Sequence, residues 1–310
     1  MNFSPSNLDE YIGQDKIKKS IRISIDASKK REEAFPHILL HGASGLGKTT
    51  LANVIANEYG VGCTTFLAPV LDSVDGIHQA LREGEHGHFV FIDEVHALNK
   101  KIQESLYTSM TNNVISVESN YFGSYEEEVK PFTCISATTD LGMLSTPFRE
   151  RFGFIVPLHK YSNAEISTIL SLNTSKLNCS VNQEALDYLA NASRKNPRTA
   201  NRLLSRCYDM ATVNDSPVID KPTVKETLFN LSIDKNGLTS DDYKILETLI
   251  ITYDCNPTGL KALSLSCDID EKAVETVYEP LLVDLGLVKR TSRGRIITKE
   301  GYTYFAKNNS

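Results

Sequence analysis

Eight consecutive residues constrain this chain more than any other stretch. Gly42-Ala43-Ser44-Gly45-Leu46-Gly47-Lys48-Thr49 fits G-x-x-x-x-G-K-[ST], directly after the apolar run His37 to His41 and directly before a helix-forming stretch. Glycines let backbone N–H groups curl around an anionic phosphate, the helix N-terminus adds its dipole, and the Lys48 cation reaches the terminal phosphates. Thr49 then offers its hydroxyl to magnesium. Gly45, Leu46, Gly47, Lys48, Thr49 and Thr50 are therefore the expected contacts to a bound triphosphate, and a fold with a strand before the loop and a helix after it is required.

The first half of the chain meets that requirement. Short apolar runs at His37 to His41, Cys63 to Leu67, Phe89 to Ile92, Phe132 to Ala137 and Phe154 to Leu158 suit strands buried on both faces. Between them, Lys16 to Arg31, Thr49 to Tyr59 and Lys100 to Asn112 carry helical spacing, so an α/β domain built on a parallel sheet is expected over residues 1–157. After Pro157 the strand signal stops, and three amphipathic helices followed by a fourth predict a small helical domain over 158–234. From 235 to 310, helical stretches give way to two short strands around Val288 and Ile296 joined by Ser292-Arg293-Gly294, the pattern of a winged helix. At 310 residues the chain has room for such modules.

Composition narrows the function classes. With 41% hydrophobic and 23% charged residues the chain is an ordinary globular one. No apolar run approaches the length of a membrane span, and the N-terminus lacks a signal-peptide pattern, so a soluble cytoplasmic protein without a membrane partner is expected. The net charge of −6 means that any nucleic-acid surface must be local. Six cysteines without a C-x-x-C pair point to reduced, buried thiols.

About forty residues beyond the phosphate loop, Asp93-Glu94 closes a buried strand at the end where ligands of α/β sheets collect. Asp93 is placed to join the magnesium shell, and Glu94 to orient and polarise an attacking water. His96 beside them is expected to pack or cap.

Leu8-Asp9-Glu10-Tyr11-Ile12-Gly13-Gln14, Gly45 to Asn53, Ala137-Thr138-Thr139, Pro147 to Gly153, Pro197 to Leu204 and Val277 to Leu281 resemble, in order and through all three domains, the RuvB family of Holliday-junction branch-migration motors of the AAA+ class. The resemblance implies ATP and Mg2+ as cofactors, a homo-hexameric ring, and double-stranded DNA arms of a four-way junction as substrate. It implies that Thr139 senses the γ-phosphate with Thr138 beside it. Arg151 would be an arginine finger supplied to the neighbouring subunit, with Arg149 as the nearest competitor, and Arg198 a second sensor on the helical domain. Tyr11 and Ile12 would cover the adenine, with Tyr161 near the nucleotide. Ser4 stands where the family usually carries an arginine, Ala43-Ser44 replaces Pro-Pro, and Val95-His96-Ala97 replaces Ile-His-Arg, the marks of a divergent member.

Two surfaces concern partners. Lys289, Arg290, Arg293, Arg295 and Lys299 form a basic cluster with no acid between 285 and 299, so Arg290, Arg293 and Arg295 on the wing are expected to hold DNA phosphates. The segment 114–131 occupies the place of the hairpin with which the family grips its junction-binding partner, RuvA. Ile115, Val117 and Val129 permit a ribbon turning near Phe122-Gly123, with Tyr121, Phe122 and Tyr125 as a docking patch for a RuvA-like protein. Competing with the motor are a non-translocating nucleotide switch, clamp-loader-like or an assembly factor, whose winged helix docks protein, and a winged-helix regulator whose ATPase controls oligomerisation.

Overall fold

The computed structural model describes residues 3–119, 123–177 and 179–308. The chain divides into two compact units, Met1–Ile169 with Asn196–Arg198, and Leu170–Lys195 with Thr199–Ser310.

The first unit runs α1 (Asp15–Arg31), β1 (Ile38–His41), α2 (Lys48–Tyr59), β2 (Cys63–Leu67), α3 (Asp75–Glu83), β3 (Phe89–Asp93), α4 (Lys100–Asn112), β4 (Val114–Ser119), β5 (Gly123–Glu128), β6 (Thr133–Thr138), α5 (Thr146–Arg149) and β7 (Phe154–Pro157). Five strands form one parallel sheet in the order β2-β3-β6-β1-β7. Central strand β6 is buried at every position, and β3 is buried up to Asp93, where the chain emerges. Register aligns the carboxyl ends: His41 pairs with Thr138, and Ile92 with Ser136. The phosphate loop, the acidic pair and Thr139 therefore leave the sheet at one edge.

Helix signals explain the layers around the sheet. In α1, Asp15 lies in the first turn and Lys29, Lys30 and Arg31 in the last, favourable ends for the helix dipole, while Ile21 and Ile25 face inward. The Asn99 side chain caps α4 by accepting from the Ile102 N–H, and Ile102, Leu106 and Met110 enter the core. Helix α3, which the strand-and-helix pattern did not suggest, is held by Ile77, His78 and Leu81. Strands β4 and β5 pair antiparallel from Val114↔Glu128 to Ser119↔Gly123, with Ile115 buried and Val117 packed on the core.

The second unit takes in the end of α6 (Asn163–Thr174), then β8 (Ser180–Val181), α7 (Gln183–Ala192), most of α8 (Pro197–Val213), β9 (Val218–Ile219) and α9 (Lys221–Asn230). Contrary to the expectation that strands end at Pro157, β8 and β9 pair in parallel. Their two-residue length left no periodicity to detect. There follow α10 (Ser240–Glu247), α11 (Leu260–Cys267), α12 (Glu271–Ala273), α13 (Glu279–Asp284), β10 (Val288–Thr291), β11 (Gly294–Ile297) and the unforeseen α14 (Lys299–Asn308). Leu238, Ile245, Leu246, Leu249, Leu263, Leu282, Leu287 and Ile297 form the winged-helix core.

The wing hairpin β10–β11 is stitched to the start of α11. Thr258 and Arg295 exchange backbone hydrogen bonds of 2.8 and 2.7 Å. That approach needs Gly294: at φ +125° a Cβ there would stand 2.2 Å from the Thr258 carbonyl oxygen. Gly294→Ala is expected to destabilise the protein by about 3 kcal/mol in urea unfolding, against a change within about 0.5 kcal/mol for exposed Ser292→Ala.

Candidate nucleotide site

The phosphate loop takes its shape from glycines in left-handed backbone. Gly45 (φ +81°) and Gly47 (φ +92°) admit no Cβ, since one on Gly45 would lie 2.4 Å from Asn196 Oδ1 and one on Gly47 2.8 Å from the Tyr11 hydroxyl. Gly47 opens α2, so Lys48 and Thr49 stand in its first turn with the helix dipole at the loop. Lys48 is buried, and its ammonium donates to the carbonyls of Gly42 (2.8 Å) and Ala43 (3.1 Å). Burial pushes its pKa down while the Glu94 and Asp93 carboxylates push it back up. Thr50, next on the helix, is half-buried.

Two elements meet at the foot of the loop. The Thr49 hydroxyl donates to Asp93 Oδ2 at 2.8 Å, and the Glu94 N–H donates to Asp93 Oδ1 at 3.0 Å. A hydroxyl and a carboxylate facing each other at the foot of a phosphate loop are hard oxygen donors that fit Mg2+ bound through one or two protein ligands and phosphate.

Glu94 sits in left-handed backbone (φ 51°), a conformation uncommon outside glycine, and its side chain is engaged. Oε2 accepts from Thr139 Oγ1 (3.0 Å) and lies 3.3 Å from His96 Nδ1. His96 Nδ1 is also 3.0 Å from Thr138 Oγ1. His96, expected only to pack or cap, thus joins the acidic pair to both threonines at the end of β6.

Tyr11 and Tyr161 are buried beside the loop. Their hydroxyls are 3.2 Å apart, and that of Tyr161 is 3.3 Å from the Leu46 carbonyl. Burial raises the pKa of both. Lys18 fastens the segment by donating to the Tyr11 carbonyl, and Gln14 by donating to that of His159. Ile12, between them, is half-buried. Asn196 donates to the Ser44 carbonyl (2.8 Å) and Arg198 to the Ser44 hydroxyl (3.1 Å). Asn196 escaped sequence reasoning; its only signal was its place before Pro197.

Arg151 lies away from this cluster of contacts: its guanidinium donates to the Tyr107 hydroxyl and covers the Tyr107 ring. Arg149 donates to Thr146 Oγ1 (3.1 Å). On the 114–131 ribbon, Tyr125 is exposed and Glu127 takes both forks of Arg82, whereas Tyr121 and Phe122, with the expected turn, fall outside the described residues.

The wing differs from expectation. Arg290 and Arg295 each aim two nitrogens at one buried carboxylate, Glu279, with contacts of 2.7 to 3.2 Å. Arg295 is itself mostly buried and also near Glu275. An acid upstream of the apparently acid-free stretch therefore neutralises part of the cluster, and Arg295 reads as a structural residue. Arg290, half exposed at 54%, shares that commitment. Arg293, at the hairpin tip, and Lys289 are exposed and in no ion pair among the described residues.

The sheet order, the phosphate loop and the acidic pair at the carboxyl edge define a P-loop ATPase of the AAA+ class. Family profiles described as the Holliday junction DNA helicase RuvB P-loop domain, the RuvB AAA lid domain and the RuvB C-terminal winged helix domain match residues 3–158, 161–234 and 235–306. The chain belongs to the RuvB family. It is 43% identical over 300 residues to the Holliday junction branch migration complex subunit RuvB of Thermosipho melanesiensis, covering 96% of each chain. To that of Fusobacterium nucleatum it is 39% identical, covering 98% of this chain and 92% of the relative. The structure of the Thermotoga maritima RuvB branch migration motor superposes with a TM-score of 0.85 at 38% identity, over 98% of both chains.

Thr49→Ala removes one of the two expected magnesium donors. Nucleotide affinity, titrated with a fluorescent ATP analogue, is expected to fall about tenfold with Mg2+ and less than about twofold in EDTA. Equal losses under both conditions would remove Thr49 from the metal shell.

Proposed function

We propose that this chain is an ATP-driven DNA motor that translocates duplex arms and so drives branch migration of four-way junctions in recombination and repair. The observation that carries this reading is the Thr49–Asp93–Glu94–Thr139 contact chain at the foot of the phosphate loop, in a chain alike to branch-migration RuvB over nearly its whole length. It works as a homo-oligomeric ring, hexameric by family likeness, in the cytoplasm. No described helix is long and apolar enough to cross a membrane.

In this reading Lys48 and the loop N–H groups hold the β- and γ-phosphates of ATP. Thr49 and Asp93 would hold Mg2+, which would supply charge neutralisation at the phosphates. Glu94 orients a water; the water oxygen bonds to the γ-phosphorus, the bond from that phosphorus to the bridging oxygen breaks, and ADP keeps the electron pair. The water proton passes to Glu94 and on to solvent. Thr139 and His96, both within 3.3 Å of Glu94 Oε2, set the direction of the carboxylate that orients this water. Thr139 reports the γ-phosphate, and Arg151 reaches the neighbouring subunit's nucleotide. Arg198, with Asn196, conveys the state of the loop to α8. Tyr11, Ile12 and Tyr161 border the base. The ribbon 114–131, with exposed Tyr125 and its acidic β5, suits a protein such as a RuvA-like partner better than DNA.

Glu94→Gln is expected to bind ATP at near wild-type affinity and to lose turnover by at least about 100-fold; normal turnover would take the water-orienting role from Glu94. For DNA, the exposed pair Lys289 and Arg293 is the surface to test, because Arg290→Ala or Arg295→Ala would also strip a buried acid of its partners. Lys289→Ala/Arg293→Ala should lower duplex affinity uniformly across sequences and reduce the slope of log K against log salt by about 2. An unchanged slope would place the DNA elsewhere.

A further inference from the structure

Arg151 and the two wing arginines are each held in place, but by different chemistry. Arg290 and Arg295 face a carboxylate that cancels charge. Arg151 instead lies with its guanidinium carbon 4.4 Å from the centroid of the Tyr107 ring, donates to that tyrosine's hydroxyl, and pairs with no acid among the described residues. An aromatic face orients a cation through its quadrupole without neutralising it. A cation meant for a phosphoryl group needs just that combination: fixed direction and undiminished charge.

Buried side chains frame the pair. Tyr107 stands on α4 between Leu106 and Met110, both buried, and packs partly against the same core. Arg151 is flanked by Phe148 and Phe152, buried side chains in edge-to-face contact with centroids 5.3 Å apart. The backbone of each partner is thus fixed, and only the exposed guanidinium would otherwise wander.

We propose that Tyr107 is a positioning residue for Arg151, holding its guanidinium extended and charged for the nucleotide of a neighbouring copy of this chain. The proposal rests on the trans role given to Arg151 above, and a mixing experiment separates the two. Arg151→Ala subunits lack the finger but keep a complete nucleotide site; Glu94→Gln subunits cannot hydrolyse but keep the finger. Mixed with ATP and duplex DNA, the two should recover turnover that neither has alone. Tyr107→Ala added to the Glu94→Gln subunit, in cis to the finger, should cut recovered kcat about tenfold with KM within about twofold. The same substitution in the Arg151→Ala subunit should leave recovery unchanged. Tyr107→Phe, which keeps the ring and loses the hydroxyl, should fall between.

Equal loss from both placements, as a merely structural tyrosine would give, overturns the proposal, and so does no loss from either. If mixtures fail to recover turnover, homogeneous Tyr107→Ala and Tyr107→Phe rings decide it: unchanged kcat overturns the proposal, and the graded loss supports it. Normal turnover by Arg151→Ala alone would instead overturn the finger reading and the positioning role with it.

Discussion

Parallel pairing of β3, β6 and β1 is the constraint on which the nucleotide site depends. Those strands are separated by tens of residues, yet their register brings His41, Asp93 and Thr138 to one edge, and the loop, the acidic pair and Thr139 follow directly. Because both faces of the sheet are covered, β6 carries small or apolar residues throughout and cannot shift by a residue without moving buried side chains into the wrong layer. The 2.8 Å bond from Thr49 to Asp93 then joins the helix after β1 to the end of β3. The core thereby sets how these side chains stand to one another.

Lys48, the wing arginines and Arg151 are held by three kinds of contact. Lys48 leans on loop carbonyls, weak partners that phosphate oxygens can replace. Arg290 and Arg295 are locked to Glu279, whose burial makes separating them costly, so they secure the wing. Arg151 rests on a neutral ring. Of these cations only Arg290 and Arg295 are in an ion pair with a carboxylate among the described residues.

Much of the site was legible from the residues. The loop and the acidic pair could be read because short motifs with fixed backbone chemistry leave local marks, whereas Thr138, Thr139, Arg151, Arg198, Tyr11 and Tyr161 were named only through the likeness to RuvB. What escaped depended on contacts between distant positions. His96 looked like a bystander until Thr138, forty-two positions on, lay beside its ring. Asn196 had no motif of its own. The basic stretch of the wing looked free of acids because Glu279 precedes it on a different element. Helices α3 and α14 were overlooked although Ile77, His78 and Leu81 mark one face of α3, because nine or ten residues offer few turns over which to read a repeat.

By itself, the sequence determined that a triphosphate-binding loop joins a buried strand to a helix, that an acidic pair ends another strand, and that helical and winged-helix modules follow. These are consequences of local backbone chemistry and of apolar periodicity, which a linear reading contains. Only the tertiary structure decided which charges are free. Glu279 takes Arg290 and Arg295 out of the wing's basic surface, the Tyr107 ring receives Arg151, and Glu94 is turned toward Thr139. Such pairings join residues brought together by strand register and helix packing, so their energies depend on a proximity that position along the chain does not encode.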